Sequence, residues 1–209
     1  MTPVRSILFG LALATLPFTA QAAPAVGQPA PAFTGTDSNG NAVSLGDFAV
    51  KTVVLEWTNN ECPYVRKHYE SNNMQTLQGE ATADGIVWLS IISSPPGEQG
   101  NVDAATANAL TVSRGAHPSH VLLDPTGTIA QAYEAKTTPH MFVISDAGVL
   151  AYMGGIDDKP TTDQADIATA RNHVRMALAE MKAGSPVSVP ESTTYGCSVK
   201  YAPDSAASN

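Results

Sequence analysis

The hydrophobic and polar positions of the chain alternate between short strand-like runs and longer stretches at helical spacing. Apolar runs predict buried strands in three segments, Val53–Trp57, Ile86–Ile92 and Val121–Leu123. Helical spacing predicts helices in the residues after Cys62, in Asp103–Ser113, in Ile129–Ala135 and in Asp163–Lys182. Turn residues predict two β-hairpins, Phe33–Leu45 and Met141–Met153. The pattern as a whole predicts an α/β fold in which helices cover a mixed sheet.

The first of these strands leads directly into a helix that begins at a cysteine. After the polar turn Thr58–Glu61, Cys62 falls at the N-cap, and Pro63 at the first helical position, where its missing N–H costs nothing. Unpaired N–H groups and the positive end of the helix dipole stabilise a thiolate there, and Arg66 and Lys67 add positive charge. Cys62 is therefore predicted to be a reactive cysteine and not an inert buried thiol.

The N-terminal 22 residues have the composition of a secretory signal peptide. Arg5 precedes the apolar segment Ile7–Phe18, and Ala20-Gln21-Ala22 has the small–x–small pattern of a cleavage site. We expect export to the periplasm or secretion, with no membrane segment after cleavage. The rest of the chain divides into a flexible Pro- and Ala-rich lead-in at 23–32, one domain at 33–184, and a mobile tail at 185–209 that carries Cys197.

The charge of the chain limits its partners. It has 11 Lys and Arg against 19 Asp and Glu, a formal net charge of −8. An acidic surface repels nucleic acid and anionic lipid. Small molecules or other proteins are the expected partners.

The chain has two cysteines, Cys62 and Cys197. In an oxidising compartment an even pair of cysteines often forms a disulfide, which here would tie the tail back to the start of the Cys62 helix. A static bond would stabilise the fold by about 4 to 5 kcal/mol in the loop-entropy model. A redox-active pair is the alternative, and both remain open from the residues alone.

The order of these features resembles the thioredoxin-fold redoxins, and most of all the peroxiredoxin-like group of alkyl hydroperoxide reductases and thiol-specific antioxidants. The resemblance rests on the strand-borne Trp57, on Cys62-Pro63 at a helix start, on Thr138-Pro139 before a strand, and on the closing hairpin and helix. The segments GQPAPAF, SNGNAVSLGDF and LLDPTGTIAQAY are similar to further parts of that family. The resemblance implies a thioredoxin-like three-layer α/β/α domain with a mixed central sheet and an N-terminal β-hairpin.

The resemblance also implies roles for residues around the cysteine. Cys62 corresponds to the attacking cysteine, and Thr138-Pro139 to the cis-proline loop that packs beside it and presents backbone to a substrate. Thr58 and Asn59 are candidates to donate hydrogen bonds to a peroxide or to the thiolate.

Four further residues are candidates on the same grounds. Trp57 is expected in the core with one edge towards the site, beside Pro63. His140 follows the proline and could exchange protons with Cys62, although a structural histidine is an alternative. Arg114 is a candidate for the arginine that polarises peroxide.

Two positions depart from the related families. Peroxiredoxins carry a threonine three residues before the reactive cysteine, where this chain has Asn59. Thioredoxins carry a second cysteine three residues after the first, where this chain has Val65. Without a thiol at Val65, a mixed disulfide on Cys62 cannot be resolved from the same helical turn. The resolving thiol is then either Cys197 or an external one.

Three functional hypotheses follow. The first is a peroxidase without a prosthetic group, in which Cys62 becomes a sulfenic acid and is regenerated by Cys197 or by an external thiol reductant, a thioredoxin-like protein or a small thiol. The second is an oxidoreductase acting on protein or small disulfides. The third is a binding module in which Cys62 and His140 hold a soft metal such as Cu(I). The pair His117-x-x-His120 falls short of a full metal-ligand set.

Overall fold

The computed structural model describes residues 23–201, so the predicted signal peptide at 1–22 lies outside the described residues. Within this part of the chain the strands are β1 (Thr34–Asp37), β2 (Ala42–Ser44), β3 (Val53–Trp57), β4 (Val87–Ile92), β5 (His120–Leu123), β6 (Thr137–Thr138), β7 (His140–Ile144), β8 (Leu150–Gly154) and β9 (Cys197–Ser198). The α-helices are α1 (Pro63–Glu70), α2 (Asn73–Ala83), α3 (Ala104–Ser113), α4 (Thr128–Ala132) and α5 (His173–Lys182). Two 3₁₀ helices cover Leu45–Phe48 and Gln164–Thr169.

Seven of the described strands form one mixed sheet in the order β2-β1-β5-β4-β3-β7-β8. The three central strands β5, β4 and β3 run parallel, while the hairpins β1–β2 and β7–β8 close the two edges with antiparallel pairs. Parallel strands are covered on both faces, which explains why β3 and β4 are apolar along almost their whole length. The predicted α/β fold with a mixed sheet and an N-terminal hairpin is confirmed.

Alternate residues of β3 face two separate cores. Val53, Leu55 and Trp57 pack in one core with β7 and α4. Val54 packs in the other core, which contains Cys62 and the apolar faces of α1, α2 and α5. The side-chain period of two in a strand produces this division. As a result, Trp57 lies in one core and Cys62 in the other.

A fully buried carboxylate joins β3 to the helices that carry the site. Glu56 Oε1 accepts a hydrogen bond from the Tyr69 hydroxyl of α1 at 2.8 Å. Its Oε2 accepts from three donors, which are Gln78 Nε2 at 3.0 Å, Trp88 Nε1 at 2.8 Å and Ser90 Oγ at 3.0 Å. Burial and the adjacent Glu56 carboxylate raise the pKa of Tyr69 well above its ordinary value, so the tyrosine remains a donor. The network fixes the position of α1, the helix that follows Cys62, relative to the sheet.

Replacing Glu56 by alanine is expected to destabilise the protein by about 3 to 5 kcal/mol, because four buried donors lose their acceptor. Denaturant unfolding monitored by circular dichroism measures this free energy. Glu98→Ala is the matched control, since Glu98 is exposed and its change should be within about 0.5 kcal/mol of zero. Equal stabilities for the two variants would contradict a structural role for this network.

Both of the longer predicted helices are interrupted in the structure. Helical spacing predicted one helix from Cys62 through Met74, but α1 ends at Glu70 and α2 begins after Asn72, which has a left-handed φ of 60°. The helix predicted over Asp163–Lys182 is divided into a 3₁₀ helix and α5, because Ala170 is extended and Asn172 caps α5 through the Arg175 N–H. Apolar periodicity does not register such a break, since the apolar face continues across it.

The lead-in at 23–32 and the described part of the tail, residues 185–201, both make backbone hydrogen bonds to the domain. Gly27 N–H donates to Leu150 O at 2.8 Å, and Leu150 N–H donates to Gln28 O at 2.9 Å, so the lead-in pairs with β8. In the tail, Ser192 N–H donates to Met153 O at 3.2 Å, and Val199 N–H donates to Lys136 O at 3.0 Å. Backbone pairing with the sheet holds both segments. Of the helices in residues 23–201, none is long and apolar enough to cross a bilayer.

Candidate functional site

Cys62 lies at the N-terminus of α1, as the sequence predicted. Its backbone is extended, Pro63 is the first helical residue, and the Arg66 N–H donates to Cys62 O at 2.9 Å. Asn59 O accepts the Cys62 N–H at 3.1 Å, which closes the turn after β3. The side chain of Cys62 is 0% exposed. The strand, the turn and the proline therefore hold the sulfur at the helix start, beneath other groups.

The group that covers Cys62 is the distant Cys197. Both cysteines are free thiols. The short strand β9 pairs antiparallel with β6, so that Cys197 lies opposite Thr138. Cys197 N–H donates to Cys62 Sγ at 3.4 Å, and the Cys62 thiol donates to Thr138 O at 3.1 Å. The tail thus brings a second thiol into the immediate surroundings of the first, and Cys197 remains partly exposed.

The surroundings favour ionisation of Cys62 over Cys197. Burial raises the pKa of the Cys62 thiol, but hydrogen bonds outweigh burial and bring this pKa below its ordinary value. These hydrogen bonds come from the Cys197 thiol, the Val65 backbone, the Thr138 side chain and the Cys197 N–H. The Val65 backbone lowers the pKa of Cys62 even though the sulfur makes no capping hydrogen bond of standard geometry. Burial, the hydrogen bond to Cys62 and the charge on Cys62 raise the pKa of Cys197. Cys62 is therefore the first of the two thiols to ionise, and Cys197 then remains the thiol that donates to it.

The positive charges expected beside Cys62 are directed elsewhere. Arg66 forms an exposed ion pair with Glu70 at 3.0 Å. Lys67 is 1% exposed and donates to Lys159 O at 2.9 Å, so it is a buried residue and not a surface one. The groups that lower the pKa of Cys62 are hydrogen-bond donors, not these two cations.

The predicted residues of the proline loop lie at the site. The Thr138-Pro139 peptide bond is cis. Thr138 contributes its carbonyl to the Cys62 contact, and its hydroxyl donates to Cys197 O at 3.4 Å. Pro63 lies next to Cys62 as the first residue of α1. Cys62, Cys197, Pro63, Thr138 and Pro139 are therefore brought together.

Two of the predicted substrate-side residues have contacts away from the sulfur. Trp57 is buried in the opposite core, and its Nε1 donates to Ser93 Oγ at 3.1 Å. His140 Nδ1 accepts the Lys136 N–H at 3.2 Å, and its ring packs 4.4 Å from that of Phe142. Burial and the charge on Lys136 lower the pKa of His140 to about 3, so it is neutral. These contacts are those of core residues.

Thr58 and Asn59 lie in the turn between β3 and α1. Asn59 Oδ1 accepts the Glu61 N–H at 2.9 Å, and Asn59 Nδ2 lies 3.4 Å from Gln99 O. Thr58 is buried, and its hydroxyl has no hydrogen-bond partner among the described residues. The amide of Asn59 is thus occupied in holding the loop.

Arg114 and the two histidines of the His117-x-x-His120 pair also have structural partners. Arg114 Nη2 donates to Asn60 O at 3.3 Å, and its guanidinium lies 4.8 Å from the centre of the Tyr69 ring. His120 Nδ1 pairs with Asp37 Oδ2 at 2.9 Å, while the His117 N–H donates to Gln78 Oε1 at 2.9 Å. No cluster of three or more potential metal ligands occurs in the described part of the chain.

Sequence reasoning did not identify Glu56 or the packing of Tyr195 on Lys67, which support the site. Glu56 is a charged residue within an otherwise apolar strand, and that interruption is a signal of a buried network. Tyr195 and Lys67 lie together beneath the tail, at 5.9 Å from Nζ to the ring centre. Their proximity depends on the path of the tail, for which the sequence contains no periodic signal.

Comparison with known proteins agrees with this description. The model of the Redoxin family matches residues 25–170. An uncharacterized conserved protein from Geobacillus kaustophilus has 25% identity and a TM-score of 0.72, over 86% of this chain and 93% of its own. A hypothetical protein from Sinorhizobium meliloti 1021 has 22% identity and a TM-score of 0.72, over 87% of this chain and 97% of its own.

A more remote structure has a named activity. A thiol:disulfide interchange protein of the thioredoxin family from Chlorobium tepidum TLS has 20% identity and a TM-score of 0.50, over 72% of this chain and 95% of its own. At this identity the likeness concerns the fold alone. Among curated proteins, none is significantly similar in sequence. The family match spans most of the chain, including its cis-proline loop and its cysteine at a helix start, and the protein therefore belongs to the Redoxin family of thioredoxin-fold thiol oxidoreductases.

Proposed function

We propose that the protein is a thiol–disulfide oxidoreductase whose redox pair is Cys62 and Cys197. The observation that carries this proposal is the contact of Cys197 N–H with Cys62 Sγ at 3.4 Å, made by a tail strand beside the cis-proline loop. Two thiols in contact can convert to a disulfide and back without rearranging the domain. Export to the periplasm or secretion belongs to the same proposal, because an oxidising compartment is where such a pair cycles.

The burial of the two sulfurs determines which one meets an external thiol. When the pair is oxidised, an external thiolate attacks the sulfur of Cys197, because Cys62 is 0% exposed and Cys197 is partly exposed. The new bond joins the external sulfur to Cys197, and Cys62 leaves as a thiolate that its hydrogen bonds stabilise. A second external thiolate then releases Cys197 and completes an external disulfide. Two electrons pass from the external dithiol to the Cys62–Cys197 bond, whose sulfurs end as a thiolate and a thiol.

The stabilised thiolate also determines the direction of exchange. A disulfide whose reduced form is stabilised is a stronger oxidant, since reduction then releases more free energy. We therefore expect the pair to oxidise dithiols more readily than it reduces disulfides. The partner class is then a protein or small molecule with two neighbouring thiols, and a second oxidant must restore the Cys62–Cys197 disulfide.

Peroxide reduction is a second candidate, supported by the proximity of Cys197 to Cys62. A hydroperoxide would convert the Cys62 thiolate and one proton to a sulfenic acid and an alcohol, and Cys197 would condense with it to a disulfide and water. Less favourable are the full burial of Cys62, the loop contacts of Asn59 and the bond of Arg114 to Asn60 O. The thiol–disulfide activity is therefore the better supported of the two.

Redox titration and substrate turnover test the proposal together. In glutathione buffers the purified protein should lose two hydrogens in a single step, with Cys62 and Cys197 joined in the peptide map. The oxidised protein should oxidise dithiothreitol catalytically when a disulfide is supplied, faster than the reduced protein consumes hydrogen peroxide. Faster peroxide consumption, with sulfenic acid trapped on Cys62, would favour the second candidate. Absence of a Cys62–Cys197 bond at every glutathione ratio would overturn both pathways through Cys197.

A further inference from the structure

Two buried charged residues contact Tyr195, two residues before Cys197. Lys67 Nζ lies 5.9 Å from the ring centre and donates to Lys159 O at 2.9 Å. The Tyr195 hydroxyl donates to Asp157 Oδ1 at 2.5 Å. Asp157 also accepts the Lys159 N–H at 2.9 Å. Because Tyr195 and Asp157 are buried, the hydrogen bond between them forms in surroundings of low polarity and is stronger than it would be in water.

A directed chain of hydrogen bonds runs through this tyrosine to Asp157. His68 Nε2 lies 3.2 Å from the Tyr195 hydroxyl, and His68 Nδ1 lies 2.8 Å from Asn73 Nδ2. Because the Tyr195 proton is directed to Asp157, His68 Nε2 must carry a hydrogen and donate, which leaves Nδ1 to accept from Asn73. Every donor in this chain from Asn73 to Asp157 thus has an acceptor. The Tyr195 hydroxyl is held at one point by one donor and one acceptor from outside the tail.

The rest of the tail near Cys197 has weaker restraints. β9 is two residues long and pairs with the two residues of β6, and one further backbone bond, from the Val199 N–H to Lys136 O, follows it. Gly196, between Tyr195 and Cys197, has a φ of 134°, a conformation that only glycine adopts readily. Such a short pair with a glycine beside it does not hold a sulfur in position unaided.

We propose that Tyr195 is the positioning residue that holds Cys197 against Cys62, and that it thereby sets the effective concentration of one thiol at the other. The inference rests on the proposed function, since it concerns the same redox pair. Its physical basis is that an ordered tail has already lost the conformational freedom that disulfide formation would otherwise remove. Among the described residues Tyr195 makes no hydrogen bond to either sulfur, and in this role it acts through the backbone of the tail.

Tyr195→Phe tests the proposal, because it keeps the ring over Lys67 and removes only the hydroxyl. The reaction measured is Cys62–SH plus Cys197–SH plus glutathione disulfide, giving the Cys62–Cys197 disulfide and two reduced glutathiones. Its equilibrium constant should fall by about tenfold or more, since hydrogen bonds that involve a charged group are the stronger ones. Tyr201→Phe is the matched control, because that hydroxyl donates to Ala135 O at 2.5 Å in the same tail, beyond Cys197. Its equilibrium constant should stay within about twofold of the original.

The outcomes separate this inference from the proposed function. If the original protein forms no Cys62–Cys197 disulfide, the proposed function fails, and the role of Tyr195 fails with it. If the disulfide forms but Tyr195→Phe changes only the thermal stability of the reduced protein and not the equilibrium constant, Tyr195 is merely structural and the inference alone is overturned. Asp157→Asn provides a second variant should Tyr195→Phe fail to fold. It keeps a neutral acceptor for the hydroxyl and should lower the equilibrium constant relative to the original protein, and an unchanged equilibrium constant would overturn the inference.

Discussion

Cys62→Ser is expected to lower the rate of thiol–disulfide turnover by at least about a thousandfold, because the variant has no sulfur to form or release the redox bond. Serine is close in size to cysteine and can still occupy the start of α1, so the fold should remain. In the remaining thiol, Cys197, burial still raises the pKa, while the effect of the Cys62 charge is lost. Catalytic oxidation of dithiothreitol, followed with an excess of glutathione disulfide, measures the loss.

Cys197→Ser is the informative partner of this variant. Turnover should also fall, because the variant cannot form the Cys62–Cys197 bond. Cys62 is 0% exposed and should react slowly with a small disulfide, but a mixed disulfide formed there has no second thiol to resolve it and should persist. Intact-protein mass spectrometry distinguishes this adduct from free protein. Turnover near the original rate in Cys62→Ser would contradict the assignment of Cys62. Ready resolution of the adduct in Cys197→Ser without external thiol would contradict the assignment of Cys197.

Gly196→Ala is expected to lower the equilibrium constant for the Cys62–Cys197 disulfide by about a hundredfold. An added Cβ at position 196 would lie 2.0 Å from Thr138 O, a backbone atom of the proline loop that cannot move aside like a side chain. The φ of 134° is also strained for any residue except glycine, by about 1 to 3 kcal/mol. The tail must then leave β6, and Cys197 moves away from Cys62. The glutathione titration described for Tyr195→Phe measures this change.

Gly148→Ala separates backbone strain from the steric clash. Gly148 has a φ of 74° in the turn between β7 and β8, and an added Cβ there meets no atom within 4 Å. This control should lower the stability of the fold by about 1 kcal/mol and leave the disulfide equilibrium unchanged. A Gly196→Ala protein whose disulfide forms as readily as in the original would show that the tail reaches Cys62 by another path.

Much of the fold and half of the site could be predicted from local patterns. The buried strand, the polar turn and the proline after Cys62 act within a few residues of one another, so the sequence indicates a thiol at the N-terminus of a helix without any tertiary information. The two hairpins and α3 are confirmed for the same reason. The breaks at Asn72 and Ala170 escaped prediction, because backbone conformation at one residue does not change the apolar period around it.

The tail shows where composition is a poor guide. Its polar and small residues predicted mobility, yet residues such as Tyr195 and Val199 are buried against the domain. Lys67 was expected to add positive charge beside Cys62 and is buried beneath Tyr195. In each case the deciding contact is made by residues far away in the chain, and no local pattern records such a contact.

The sequence by itself determined that one reactive cysteine stands at a helix start, since the strand, turn and proline that put it there are its neighbours in the chain. Only the tertiary structure decided that Cys197 lies against it, because that contact depends on the route of the tail along β8 and β6. The same route decided which sulfur is covered and which is partly exposed. Burial and hydrogen bonding across distant segments set the protonation of the two thiols, and these quantities exist only once the chain has folded.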